Sequence, residues 1–147
     1  MKSENQVVLE FPSRSSNESF ARVAAAGFAM QLDPTLEELG DIKTAVSEAV
    51  TNAIIHGYPD CIGRIVMKMR IREGNVMEII VKDWGVGIAD VEQARKPMFT
   101  TGNDERSGMG FTIMESFMDT IRVKSAPQKG TTVTLKKRIS TRMGERK

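Results

Sequence analysis

The sequence predicts an α+β fold, a two-layer α/β sandwich in which a mixed sheet carries helices on one face. The main reason is the order of elements, which runs strand, helix, helix, strand, strand, loop, helix, strand, strand. Strands and helices that occur in separate groups favour this class over alternating βα units. A length of 147 residues fits one compact domain, so we expect a single domain over 1–147, with a frayed basic tail at 139–147.

The predicted N-terminal elements are a strand over 6–11, a helix over 18–32 and a second helix from Asp33-Pro34 to Gly57. Ser16 or Asn17 can cap the first helix. In the second, Asp33 can cap, Pro34 suits the first helical position and Gly57 is a natural stop. Apolar residues recur at helical spacing between these limits and predict a core-facing stripe.

The predicted C-terminal elements are strands over 64–72, 76–83, 120–125 and 131–138, with a helix over 110–118. Glu73-Gly74-Asn75 is a hairpin signal between the first two of these strands. Residues 84–108 predict a long loop with one short helix after Asp90. Loops of this length inside compact domains are uncommon and usually functional.

Charge and cysteine content restrict the class of protein. The basic residues are concentrated at 136–147, and the rest of the chain has an acidic excess. A basic tail on an acidic body is a poor footprint for a duplex, so we expect no direct nucleic-acid binding. Cys61 is a single cysteine, the N-terminus resembles no signal peptide, and no apolar run approaches the roughly 18 residues of a membrane span. These features predict a cytoplasmic protein without membrane contact.

The first chemical pattern is the pair Glu48 and Asn52 on the second predicted helix. Residues four apart project from one side of a helix, here at the margin of the apolar stripe. An Asn side-chain oxygen can serve Mg²⁺, and a Glu can orient or deprotonate an attacking hydroxyl. Taken alone, the pair is better explained as the ordinary polar edge of an amphipathic helix.

Two glycine motifs follow. Asp83-Trp84-Gly85-Val86-Gly87 comes directly after a strand, where an Asp can accept from an exocyclic amine and glycines let the backbone approach a flat ligand. Arg106-Ser107-Gly108-Met109-Gly110 leads into a helix, and backbone N–H groups at such a start bind phosphate. Neither spacing is that of a P-loop or a Rossmann fingerprint.

In this order, the segments SEAVTNAIIHG, DWGVG and RSGMGFT resemble the N, G1 and G2 boxes of the GHKL ATPase superfamily, which has the Bergerat fold. Within it, NESFARV and ERSGMGFTIMESFMD are similar to the anti-sigma factor kinases. The resemblance covers about residues 7–138.

The resemblance implies roles for individual residues. Glu48 would be the general base and Asn52 the ligand of Mg²⁺. Asp83 would recognise the adenine amino group, and Thr131 would assist through water. The other residues expected to line the base are Gly85 and Gly87.

The resemblance also implies an ATP lid over 97–107, which here is about one residue shorter than the pattern of these kinases. Arg106 would stabilise the terminal phosphate during transfer. The remaining nucleotide contacts expected in this part of the chain are Thr100, Thr101, Ser107, Gly108, Met109 and Gly110. Arg22, in NESFARV, matches a position that contacts protein partners.

By this resemblance the protein would be an ATP-dependent serine kinase and an anti-sigma factor. It would sequester a sporulation sigma factor, phosphorylate a serine of an anti-anti-sigma protein, release ADP and form a homodimer. Two alternatives are a general-stress anti-sigma kinase and a nucleotide-gated binding module with negligible catalysis. A histidine kinase is disfavoured because no phosphoacceptor helix accompanies His56.

Overall fold

The computed structural model describes residues 3–95 and 110–140. The strands are β1 (Ser3–Pro12), β2 (Arg64–Arg72), β3 (Val76–Asp83), β4 (Thr120–Ala126) and β5 (Gly130–Arg138). The helices are α1 (Ser16–Ala29), α2 (Leu36–Asn52), α3 (Val91–Ala94) and α4 (Gly110–Phe117). A 3₁₀ turn over Met30–Leu32 joins α1 to α2, and a π-helical turn over Ala53–Gly57 continues α2.

The five strands form one sheet in the order β1-β2-β3-β5-β4. Every neighbouring pair in it is antiparallel, so the expectation of a mixed sheet is wrong in this respect. The reason lies in the connections. Two successive helices bring the chain back to the end of the sheet that it left, so β2 runs opposite to β1, and hairpins make the β2–β3 and β4–β5 pairs.

One hydrophobic core joins the helices to a single face of the sheet, which confirms the α+β class. Strand residues facing the helices alternate with residues facing outward, as the burial of β2 shows at every second position. The largest fully buried side chains include Ile42 of α2, Met67 of β2, Ile79 of β3, Met114 of α4 and Leu135 of β5.

The predicted bounds of β2 and β3 are confirmed, but both N-terminal helix caps differ from expectation. The cap of α1 is Ser15, whose side chain makes no capping bond. The cap of α2 is Thr35, which forms a capping box with Glu38. Asp33 instead adopts a left-handed conformation (φ 53°) that ends the 3₁₀ turn, so the chain turns before α2 begins.

The sheet has an outer face that is turned away from the helices and is rich in cations. The strand register assigns to it Arg64, Lys68, Arg70, Arg72, Lys82, Arg122, Lys124, Lys136 and Arg138. At its centre Glu78 is buried and pairs with Arg70 (2.5 Å), Arg72 (2.9 Å) and Lys136 (3.7 Å). The count along the sequence suggested that positive charge is concentrated at the C-terminus. The structure shows that cations also gather on the outer face of the sheet.

The C-terminal tail was expected to fray from residue 139, but Ile139 and Ser140 make ordered contacts with the domain. Ile139 is buried, and its N–H donates to the carbonyl of Asn75 at 2.9 Å. The N–H of Ser140 donates to Glu38 Oε2 at 2.9 Å. Residues 141–147 lie outside the described residues.

Candidate nucleotide site

A cavity of about 430 Å³ lies between α2, its π-helical continuation, β3, β5 and the loop after β3. Among the residues predicted to bind nucleotide, Asn52, Asp83, Gly87 and Thr131 line it. Its apolar walls include Ala49, Ala53, Val81, Ile88, Phe111 and Val133. A mostly apolar cavity with a few convergent polar groups is typical of a small-ligand site.

At one end of the cavity, the carboxyl of Asp83 lies against Gly57. A β-carbon built on Gly57 would be 2.9 Å from Asp83 Cγ, closer than packed side chains allow. Gly85 donates its N–H to Asp83 Oδ1 at 2.9 Å. Within the motif, the backbone therefore folds so that Gly85 donates to the side chain of Asp83. Gly57, at the end of the π-helical turn, has no side chain and leaves room for that carboxyl.

The glycines of the motif permit close backbone contacts. A β-carbon on Gly85 would overlap the carbonyl of Gly57, which accepts the N–H of Val86 at 2.9 Å. Gly87 has φ +78° and packs against the carbonyl of Ala126, where a β-carbon would also overlap. Both glycines therefore hold the loop after β3 against its neighbours, and Gly87 in addition faces the cavity.

Thr131 faces the same end of the cavity from β5, where it pairs in register with Asp83. Its hydroxyl lies 2.8 Å from the hydroxyl of Ser125, which also accepts the N–H of Ile88 at 2.8 Å. This network fixes Thr131 beside the carboxylate and ties the loop after β3 to the β4–β5 hairpin.

Glu48 and Asn52 lie together beside the start of α4. A β-carbon on Gly110 would be 3.2 Å from both Oδ1 and Nδ2 of Asn52 and 3.5 Å from Glu48 Oε1. Asn52 lines the cavity, and Glu48 lies next to it outside the lining. The π-helical turn begins directly after Asn52, and such turns are frequent at functional sites.

Burial raises the pKa of the Asp83 carboxyl above its usual value, although hydrogen bonds from Gly85 and Thr131 and the charge of Lys82 oppose the shift. The residue is 4% exposed. An ionised carboxylate there is costly without a partner, which makes it a strong acceptor for a ligand N–H group.

Several predicted site residues cannot be placed by the structure. Thr100, Thr101, Arg106, Ser107, Gly108 and Met109 lie outside the described residues, as does the expected lid over 97–107. Arg22 is on α1, away from the lining of the cavity, and it lies 3.8 Å from Glu18. Within 3–95 and 110–140, no group of three His, Cys, Asp or Glu side chains could hold a metal ion by itself.

Sequence reasoning missed three residues that shape the site. Gly57 appeared only as a helix stop, yet it accommodates both Asp83 and Gly85. The Tyr58 hydroxyl accepts the N–H of Trp84 and donates to the carbonyl of Arg64, both at 2.7 Å. Ser125, which bonds Ile88 and Thr131, belongs to no motif that the sequence analysis recognised. Their roles depend on contacts between distant segments, for which a single sequence holds no signal.

The comparison with known families agrees with this geometry. The family described as "Histidine kinase-like ATPase domain" matches residues 11–137. The chain therefore belongs to the family of histidine kinase-like ATPase domains.

Curated relatives narrow the class. The chain is 59% identical to the "Anti-sigma F factor" of Geobacillus kaustophilus (strain HTA426), over 92% of this chain and 94% of that protein. It is 54% identical to the protein of the same name from Bacillus subtilis (strain 168), with the same coverage of both chains. The chain belongs to the anti-sigma F factor family.

Solved structures confirm the fold. The crystal structure of the RsbU and RsbW domains of Rv1364c from Mycobacterium tuberculosis superposes with a TM-score of 0.66 at 19% identity. That alignment covers 92% of this chain and 32% of the larger chain. A blue-light activated histidine kinase from Erythrobacter litoralis EL346 gives a TM-score of 0.59 over 83% of this chain and 42% of its own, also at 19% identity.

Among the described residues, no helix is long and apolar enough to cross a membrane.

Proposed function

We propose that this protein is an ATP-dependent serine protein kinase and an anti-sigma factor. The observation that carries the proposal is that two separate polar groups line one cavity. Asp83 and Thr131 line the cavity from the paired strands β3 and β5, and Asn52 lines it from α2, with the neighbouring Glu48, beside the start of α4. This separation suits a nucleotide whose base and phosphates need different partners.

The base of ATP or ADP would lie beside Asp83. The buried carboxylate would accept from the exocyclic amine of adenine, and Thr131 would assist through water. The apolar walls formed by Val81, Ile88 and Val133 suit a flat aromatic ring. Gly85 and Gly87 support this end by keeping the loop close to Gly57 and Ala126.

The phosphates would lie toward Asn52 and Gly110. The Asn52 side-chain oxygen is a hard ligand, and Mg²⁺ with few protein ligands is usually completed by water and phosphate oxygens. The residues present fit such an ion, which would neutralise phosphate charge during transfer. By resemblance, Thr100, Thr101, Arg106, Ser107, Gly108 and Met109 would complete the phosphate contacts.

In the transfer step, a serine hydroxyl of the anti-anti-sigma protein would attack the γ-phosphorus of ATP. The bond from that phosphorus to the oxygen bridging the β-phosphate would break, and ADP would leave. Glu48 would accept the proton of the serine hydroxyl. Arg106 would stabilise the negative charge of the transferring group.

Partner binding would use α1. Arg22 lies on this helix between Phe20 and Val23, which are 56% and 62% exposed. Large apolar side chains exposed beside an arginine are typical of protein interfaces. Through this surface the protein would hold sigma F away from RNA polymerase, and it would act as a cytoplasmic homodimer without direct nucleic-acid contact.

A phosphoryl-transfer assay tests the proposal. The protein is incubated with Mg²⁺, γ-labelled ATP and the anti-anti-sigma protein, while sigma F binding is measured in parallel. We expect label on a serine of the partner and nucleotide-dependent sigma binding. Sigma binding without any labelled partner would show a nucleotide-gated binding module instead of a kinase.

A further inference from the structure

One carboxylate oxygen connects the two helices that the proposed function uses. Glu18 Oε2 accepts the hydroxyl of Ser47 at 2.5 Å. The same oxygen lies 3.8 Å from Arg22 Nε, one helical turn further along α1. Glu18 thus joins α2 to the arginine of the proposed partner surface.

The contact between Glu18 and Ser47 lies next to the candidate base. Ser47 directly precedes Glu48, so the first turn of α1 lies beside the part of α2 that carries the candidate base. Because Glu18 is 22% exposed and Arg22 39% exposed, the arginine can meet a partner while the carboxylate stays partly covered.

Apart from Glu18, the contact of Arg22 within α1 is too weak to fix its side-chain conformation. Ser19 Oγ accepts from Arg22 Nη2 at 3.4 Å, a long bond between exposed groups. An arginine side chain has many rotamers, and each one that a partner must fix costs binding free energy. A carboxylate that is itself fixed by Ser47 limits those rotamers before the partner arrives.

We propose that Glu18 is a positioning residue that holds Arg22 for protein-partner docking, with Ser47 fixing the carboxylate. This inference rests on the proposed function, because it assigns Arg22 to partner binding next to the transfer site. Glu18 acts through Arg22 and takes no part in proton transfer or nucleotide contact. Losing it weakens docking and leaves the chemical step intact.

Two substitutions separate the parts of this contact. Glu18→Gln removes the charge that faces Arg22 and keeps an oxygen that can accept from Ser47. Ser47→Ala removes the hydroxyl and keeps both charges. Glu37→Gln is the matched control, since Glu37 is an exposed carboxylate in the first turn of α2. Ten residues of helix, about 15 Å, separate it from Ser47.

The readouts are the Kd for ATP, the KM and kcat for the anti-anti-sigma protein, the Kd for sigma F and the thermal midpoint. We expect Glu18→Gln and Ser47→Ala each to raise KM and the sigma Kd about two- to tenfold. The Kd for ATP and kcat stay within about twofold, and the double variant is less than additive because both changes disrupt one contact.

Two results overturn the inference. Either both variants match Glu37→Gln in KM and sigma Kd, or kcat falls while KM is unchanged, which would place Glu18 in the chemical step. If the wild-type protein labels no partner, the kinase proposal fails, and the sigma Kd of the same variants still decides the role of Glu18. If Glu18→Gln lowers the thermal midpoint sharply, Ser47→Ala supplies the decisive comparison.

Discussion

Gly110 and Asn52 are in direct apposition, because a β-carbon on Gly110 would lie 3.2 Å from both terminal atoms of the Asn52 side chain. The start of α4 and the end of α2 therefore meet without an intervening side chain. This contact places Asn52 and Glu48 beside the first residue of α4.

The first prediction concerns this apposition. Gly110→Ala forces Asn52 to move by a few tenths of an ångström, so affinity for ATP with Mg²⁺ falls roughly three- to tenfold, since such sites tolerate little misplacement. The matched control is Gly40→Ala within α2, where a β-carbon meets nothing within 4 Å. We expect it to stabilise the fold by about 0.5–1 kcal/mol and to leave ATP affinity unchanged. Calorimetric titration and thermal unfolding measure both effects.

The second prediction tests Glu48 as the base. Glu48→Gln keeps the size of the side chain and removes its ability to take a proton. Phosphorylation of the anti-anti-sigma protein should fall by about 10²–10⁴-fold, while the Kd for ATP stays nearly constant. Single-turnover transfer with labelled ATP is the measurement. Substantial phosphorylation by this variant would exclude Glu48 as the base.

The third prediction separates binding from stability at Asp83. Asp83→Asn should weaken ATP binding by roughly 10- to 100-fold, because a hydrogen bond to a charged acceptor is lost. The same change should raise the free energy of unfolding at neutral pH, because burial raises the pKa of this carboxyl and so makes its ionised form costly in the folded state.

The pH dependence of that gain has a defined sign. Wild-type stability falls as pH rises from the usual Asp value of 3.8 through the raised folded pKa, and it stays lower above it. The advantage of Asp83→Asn is therefore complete above the raised folded pKa and disappears below about 3.8. Urea unfolding of both proteins across pH checks this, and a constant difference would contradict it.

The fourth prediction concerns Glu78 on the outer face. Burial opposes ionisation of Glu78, but hydrogen bonds from Arg72 and Arg70 and their charges outweigh it and lower its pKa. Its contribution to stability is present above the usual Glu value of 4.5 and is lost as pH falls through the lower folded pKa. Glu78→Gln should cost about 1–3 kcal/mol at neutral pH, since it leaves clustered cations without their shared partner.

Glu10→Gln is the control for that measurement. Glu10 pairs with Arg64 at 3.0 Å on the same face, but both side chains are more than half exposed. Solvent screens such a pair, so its loss should change the free energy of unfolding little. Equal losses from Glu10→Gln and Glu78→Gln in urea unfolding would refute the central role of Glu78.

The sequence by itself determined the local elements and the identity of the chemical groups. Two runs rich in β-forming residues, separated by the turn signal Glu73-Gly74-Asn75, set the bounds of β2 and β3. The short helix predicted after Asp90 is α3, and Asp90 caps it by accepting the N–H of Gln93. Roles for Glu48, Asn52 and Asp83 were predicted because their motifs, taken in order, resemble those of the GHKL ATPase superfamily.

Tertiary structure alone decided what those groups meet. The fit of Gly57 against Asp83, the apposition of Gly110 and Asn52, and the contact of Glu18 with Ser47 join segments far apart in the chain. The antiparallel direction of β1 and β2 follows from the pairing of two helices between them. Such relations depend on how whole elements pack, and local propensity contains no information about which distant atoms will share that space.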